Sequence, residues 1–339
     1  MMPPPASTTR AFARALDRIS DGLAQVEAAM HAQLASESSV VAEVGEHVLS
    51  SGGKRVRPAL LFFASELCGY TGPRCVQVAA AIEFLHTATL LHDDVVDGGD
   101  LRRGRPAANV LWGNRRAILV GDFFYARASS MIVEDGELAL LEIFANTIRR
   151  MAEGEILQMQ RSFDPDVNEA HYYGVIDRKS AALIGASCEA GAILGSVTRA
   201  ERRRLAEFGH ELGRAFQLRD DALDYEASDR TLGKRRYADL REGKITLPLL
   251  LALKRCAPAE RLALEGLLKA VADAEQRAEA EVDVAPLAEL VARHRGVEDT
   301  LRRAEAHVDR AVDAVAPFPA GPAKDALLAA ADFAVARTS

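Results

Sequence analysis

Two acidic triplets are the side chains best placed to do chemistry: Asp93, Asp94 and Asp97, and Asp220, Asp221 and Asp224, both in the pattern DDxxD. On a helix the first and last members of a triplet lie about 40° apart and one turn separated, with the middle one flanking them. Three carboxylates this close repel one another. Each triplet follows an apolar run, LHTATLL before the first and GRAFQL before the second. Each is therefore expected to end a helix, where the dipole also disfavours anions. Such a concentration of negative charge calls for cations. Hard oxygen donors of this kind suit Mg2+, which is usually held by one or two carboxylates together with substrate phosphates. Basic residues trail both triplets: Arg102, Arg103 and Arg105 after the first, Lys234 and Lys244 after the second. One DDxxD alone reads equally well as a solvated acidic face. Two of them, each trailed by basic residues, fit a pair of facing clusters that clamp Mg2+ around a diphosphate, with the basic side chains on phosphate oxygens.

The elements that must position these residues are helices. The chain has 339 residues, 49% hydrophobic and 27% charged, and its apolar fraction is mostly Ala, Leu, Val and Ile. Apolar residues recur at spacings of three and four almost throughout, and strand-like alternation is nearly absent. The spacing predicts helices over 11–34, 40–50, 58–68, 74–97, 114–131, 137–161, 168–195, 200–226, 243–255, 258–271, 285–293, 297–315 and 320–336. The fold class expected is all-α, a single large helical bundle around a central cavity. Residues 1–10, rich in Pro, Ser and Thr, read as a disordered leader, and 11–339 as one domain, because no Pro/Gly/Ser-rich linker splits the chain.

Charge and cysteine use narrow the function classes. A net charge of −7 and a pI near 5.7 argue against sequence-independent nucleic-acid binding, so no nucleic-acid partner is expected. Cys68, Cys75, Cys188 and Cys256 are scattered without metal spacing, which makes a reducing compartment, the cytoplasm, the expectation. No transmembrane segment is expected, since the apolar runs are short or interrupted. A greasy substrate held inside the protein, with peripheral membrane contact during product release, is compatible with that.

LLHDDVVDGGDLRRGRP and FQLRDDALDY resemble the two aspartate-rich motifs of the trans-isoprenyl diphosphate synthases (polyprenyl synthetases). GGKRVRP, VGDFFYARA, EGEILQM and DLREGKITLPLL match as well, in family order, over about residues 40 to 250. The resemblance implies a helical bundle, usually a homodimer, in which isopentenyl diphosphate adds head-to-tail to an ionising allylic diphosphate, with Mg2+ as cofactor. It places Asp93, Asp94 and Asp97 on one side of the metal and Asp220, Asp221 and Asp224 on the other. It assigns Arg102 to the allylic diphosphate, with Lys179, Ser180, Gln217, Lys234 and Lys244 lining the same site. Lys54, Arg57, His86 and Arg103 would bind isopentenyl diphosphate. His86 lies two turns before Asp93, on nearly the same helical face. Arg55 is expected to be an exposed neighbour of Lys54, Gln158 a lining or plain helix-face residue, Asp122 a structural hydrogen-bond partner, and His92 a support of the site or a packed residue. Two departures from the family pattern stand out. Ser180 replaces a frequent Thr, and Arg235, Arg236 and Tyr237 fill a loop that usually carries Pro and Gly, which bears on the role of Lys234.

Product length should depend on what lies one turn, about 5.4 Å, before Asp93. Ala88 and Thr89 are small there, and DDVVD lacks a two-residue insertion of short-chain members. With Ser129 and Ser130, also small, they predict an open tunnel and a long-chain, octaprenyl-type product suited to quinone side chains. The competing placement of the block is deeper, at Phe84, Phe123 or Phe124. Alternative functions are a shorter-chain (farnesyl or geranylgeranyl) synthase, a terpene cyclase, and a non-catalytic partner subunit of a heteromeric synthase. A cyclase has no need of a second-substrate pocket such as Lys54, Arg57 and Arg103, and a pure regulator need not keep both triplets.

Overall fold

Helix follows helix along the chain because apolar stripes of period 3.6 must bury against one another. A computed structural model describes residues 6–226, 237–277 and 282–336. The elements are α1 (Ala6–Arg18), α2 (Ser20–Ala32), α3 (Ser39–Leu49), α4 (Val56–Leu67) and α5 (Arg74–Val96), a hairpin of β1 (Leu101–Arg102) and β2 (Arg105–Pro106), α6 (Ala108–Trp112), α7 (Asn114–Asp135), α8 (Leu138–Gln160) and α9 (Glu169–Ile176). A π-helical turn, Asp177–Ala181, joins α9 to α10 (Ala182–Leu194). Then come α11 (Arg199–Glu226), α12 (Ala238–Arg241), α13 (Leu247–Leu253), α14 (Pro258–Arg277), α15 (Ala285–Arg293), α16 (Gly296–Val315) and α17 (Pro322–Ala336). The all-α expectation holds.

The differences from the expected spans have local causes. Helix α1 starts at Ala6, inside the stretch read as a leader. The single helix expected over 11–34 breaks at Ile19, whose φ −112 and ψ 13 leave the helical basin. The span 168–195 is interrupted by the π-turn, which apolar spacing does not reveal. The arginine-rich loop folds into the hairpin, pairing Leu101 with Pro106 and Arg102 with Arg105. Its two-residue turn places Arg103 (φ 52) and Gly104 (φ 74) in left-handed conformations, as a type I′ turn requires.

Three apolar clusters share the interior. The first joins α5, α7 and α8 through Leu85, Ala88, Phe124 and Phe144. The second joins α4, α10, α11, α16 and α17 through Phe63, Phe208, Leu212 and Leu327. The third surrounds α13 with residues of α14–α16. Each fully buried Leu or Phe contributes roughly 1.5–3 kcal/mol over its exposed state. Helix α5 packs most extensively on α7, and α11 on α16. By length and composition α5 alone among the described helices could cross a membrane. Its most apolar window, however, is 67% buried inside the protein, as a core helix must be.

Candidate active site

The two acidic triplets lie at the ends of α5 and α11, and these helices bring one member of each to a shared cavity. Asp93 from α5 and Asp220 from α11 line a space of about 760 Å³. Lys54, Arg57, His86 and Arg103 line it on one side, and Lys179, Ser180 and Gln217 on another. The approach is close at Gly53, where a Cβ would stand 2.8 Å from Arg103 Nη1. The Nε of Arg57 is buried without a hydrogen-bond partner, so the guanidinium keeps a free donor. Burial lowers the Arg57 and Arg103 pKa values. Burial, then the charges of Arg57 and Arg103, push His86 well below its ordinary value, so its imidazole is neutral.

The members of each triplet have different surroundings. Asp93 is raised to about 6, first by burial, with Lys179 opposing. Asp97 accepts from Lys244 Nζ at 2.9 Å, and the same Nζ reaches Glu242 at 2.6 Å. Asp94 is 5% exposed. It points instead to Arg102, whose Nε donates to Oδ1 at 2.6 Å. Arg102 is thus held by Asp94, and neither lines the large cavity.

In the second triplet, Asp221 is buried and accepts from Tyr172 Oη at 2.5 Å and Gln217 Nε2 at 2.8 Å. Burial and the neighbouring Asp239 raise its pKa. It lines a smaller space, of about 130 Å³, with Asp239, Lys179 and Lys244. Asp224 is fully buried and caps α12, accepting from the backbone N–H of Ala238 (3.2 Å) and Asp239 (3.3 Å). The structure therefore brings Asp93 and Asp220 to the large cavity and Asp221 to the smaller one, ties Asp97 to Lys244 of the smaller one, and turns Asp94 and Asp224 to structural partners. Lys234, with Arg235 and Arg236, lies outside the described residues.

Below Asp93 an apolar space of about 310 Å³ opens among Leu85, Ala88, Thr89, Tyr125, Ile148 and Met151. Ala88 is 1% exposed and Thr89 ties its hydroxyl to His86 O at 2.8 Å. Ser129 and Ser130 do not reach this space; their hydroxyls bond back to Tyr125 O and Ala126 O. One turn beyond Ala88, Phe84 meets Phe124 edge-to-face at 5.0 Å, both fully buried.

Several contributors carried weak sequence signals. Lys179 Nζ pairs with Glu155 at 2.5 Å and Gln158 Oε1 at 2.9 Å, both inside the EGEILQM segment. Arg55, expected to be exposed, has a side chain only 10% accessible and pairs with Glu83 at 3.0 Å. Glu83 lies one turn before His86, a spacing that could have singled it out. Tyr172 and Asp239 had no such marker. His92 lies 3.4 Å from Asp122 Oδ1 and packs where Gly121 has no Cβ.

Chemically, this is a basin of guanidinium and ammonium groups facing carboxylates, with an apolar pocket behind it. The donors fit a hard divalent cation. Among the described residues no three acidic side chains close into a complete cage. That suits an ion whose remaining ligands come from a bound phosphate.

Comparison with known proteins agrees with this geometry. Residues 38–284 match the family described as "Polyprenyl synthetase". The chain is 40% identical over 315 residues to the octaprenyl diphosphate synthase of Escherichia coli (strain K12), covering 93% of this chain and 95% of that protein. A crystal structure of a polyprenyl synthase from Caulobacter crescentus CB15, complexed with calcium and isoprenyl diphosphate, superposes with a TM-score of 0.91 at 41% identity, covering 97% of this chain and 98% of that one. The crystal structure of a decaprenyl diphosphate synthase from Rhodobacter capsulatus follows at 0.88 and 36% identity, over 96% and 98%.

Proposed function

Because the chain belongs to the polyprenyl synthetase family, we propose that it condenses isopentenyl diphosphate head-to-tail with an allylic diphosphate, repeatedly, to make a long all-trans polyprenyl diphosphate for quinone side chains. The observation that carries this reading is one cavity lined by Asp93, Asp220 and six basic or imidazole side chains, sharing Thr89, Asp93, Met151 and Lys179 with an apolar pocket. The octaprenyl and decaprenyl relatives support the long-chain product.

Lys54, Arg57 and Arg103 bind the diphosphate of isopentenyl diphosphate. Neutral His86 donates a hydrogen bond to it without adding charge. Lys179, Ser180, Gln217 and Lys244 receive the allylic diphosphate. Asp93 and Asp97 would hold Mg2+ from one side, and Asp220 and Asp221 from the other. When bound, Mg2+ supplies the positive charge that stabilises diphosphate as a leaving group. The apolar wall of Leu85, Ala88, Ile148 and Met151 keeps water from the allylic cation, which water would quench.

The protein works as a homodimer in the cytoplasm. Exposed Ile118, Tyr125 and Val133 along one side of α7 form the apolar stripe that a second copy would cover. The four free cysteines suit a reducing compartment.

One assay tests the reading: farnesyl and isopentenyl diphosphates with Mg2+, products analysed by mass. Long prenyl diphosphates are expected, together with complete loss of turnover in excess chelator. Products of three or four units would indicate a short-chain synthase, hydrocarbons a cyclase, and no consumption a partner subunit.

A further inference from the structure

A second network of charges lies around the π-turn Asp177–Ala181, and the mechanism above does not use it. Arg214 on α11 grips Asp177 with both arms of its guanidinium, Nε to Oδ1 at 2.5 Å and Nη2 to Oδ2 at 2.8 Å. Its third nitrogen, Nη1, reaches Glu211 Oε1 at 2.5 Å. Glu211 is anchored in turn on α16, where Arg310 Nε donates at 2.8 Å and His307 Nδ1 lies at 2.6 Å. Burial alone would raise the Glu211 carboxyl; the His307 and Arg310 bonds outweigh it and hold the pKa at about 2. From α8, Arg150 Nη2 donates to the Asp177 carbonyl at 3.2 Å.

The backbone of the turn is clamped as well. A Cβ on Gly154 of α8 would stand 2.8 Å from Lys179 N, and one on Gly213 of α11 would stand 2.6 Å from Ala181 Cα. Two glycines thus let two helices close on the turn. A π-turn is an unfavourable insertion that recurs at functional sites. Here its middle residues are Lys179 and Ser180, which face the cavity. Relaxation to α geometry would rotate them by tens of degrees, on the order of half a turn step.

We propose that Asp177 and Arg214 are positioning residues, whose ion pair holds the π-turn so that Lys179 and Ser180 meet the allylic diphosphate. The inference rests on the proposed function and assigns it a specific selectivity. The basic residues for isopentenyl diphosphate, Lys54, Arg57 and Arg103, belong to the α4 segment and the hairpin. The bonds of Asp177 and Arg214 described above run to α8 and within α11, so the allylic site is the one that depends on the pair.

The test is steady-state kinetics on the full chain with Mg2+, comparing Asp177→Asn, Arg214→Gln and the double variant. KM for the allylic diphosphate is expected to rise about tenfold, a loss of about 1.4 kcal/mol, with KM for isopentenyl diphosphate changing less than about twofold. The double variant should be no worse than the poorer single one, because both act through one pair. Arg214→Lys, which keeps the charge and loses the fork, should give the same allylic-only shift at smaller size, and it carries the test if Asp177→Asn does not fold. A purely structural role would lower kcat with the folded fraction and leave both KM values alone. That result, or equal rises in both KM values, overturns the proposal. Failure of the unaltered chain to turn over would instead reject the prenyltransferase reading.

Discussion

Lys244 Nζ donates to Asp97 Oδ2 across 2.9 Å, binding the segment that follows the second triplet to the end of the first. With no metal bound, this ammonium is the cation nearest Asp97, and its side chain is 15% exposed. Lys244→Met should therefore destabilise the metal-free protein by about 1 kcal/mol, the cost of leaving two partly buried carboxylates without their charged donor. Added Mg2+ should restore more stability to the variant than to the parent. Denaturant unfolding with and without Mg2+ reads this directly, and equal metal effects on the two proteins would contradict it.

Within the first triplet, Asp93 and Asp94 should fail in different ways. Asp93→Asn is expected to lower kcat by about a thousandfold, since it removes a carboxylate that would hold the Mg2+ stabilising the departing diphosphate. Asp94→Asn removes the partner of Arg102 and the loss should show mainly as reduced stability. Kinetics at saturating Mg2+ beside thermal melts separate the two. Indistinguishable variants would mean that Asp94 turns into the cavity on ligand binding.

Product length should respond to Ala88 and not to Ser129. Ala88→Phe fills the apolar space below Asp93, whereas Ser129 lies off it. The first substitution is expected to shorten products to a few isoprene units, and Ser129→Phe to leave the distribution as it was. Mass analysis of extracted products decides, and unchanged chain length in Ala88→Phe would move the block to the deeper Phe84–Phe124 pair.

Acid stability should depend on Glu169. Hydrogen bonds from Arg303, then Lys254, against an opposing burial effect, hold its carboxyl at about 2, below its ordinary 4.5. A carboxylate depressed in the folded state stabilises fully above pH 4.5, and that stability drains away as pH falls toward 2. Glu169→Gln should therefore flatten the loss of stability across this window. Parallel curves for variant and parent would exclude the linkage.

Much of this was legible in the sequence because it is periodic or local. Helical spacing marked most of the helices, and Asp93 and Asp97 share a face by arithmetic alone. What escaped depends on neighbours distant in the chain. Asp94 is buried because Arg102 comes back through a hairpin of two-residue strands, too short to leave an alternating pattern. Asp224 is buried because α12 brings its backbone N–H groups to it. The π-turn has no periodic signature, since its geometry is imposed by Gly154, Gly213 and Arg214 from two other helices. Tyr172 reaches Asp221 over 49 positions of chain, and no local motif encodes that contact.

The charged basin and the apolar pocket share one wall, Thr89, Asp93, Met151 and Lys179. The bond-forming end of the chain must stay at that wall while each five-carbon addition pushes the tail further back. Such a protein has no need to count additions: it gauges depth, like a rod against a stop. Primers of different starting size should then converge on one final length, and the smaller primer would simply take more cycles to reach it.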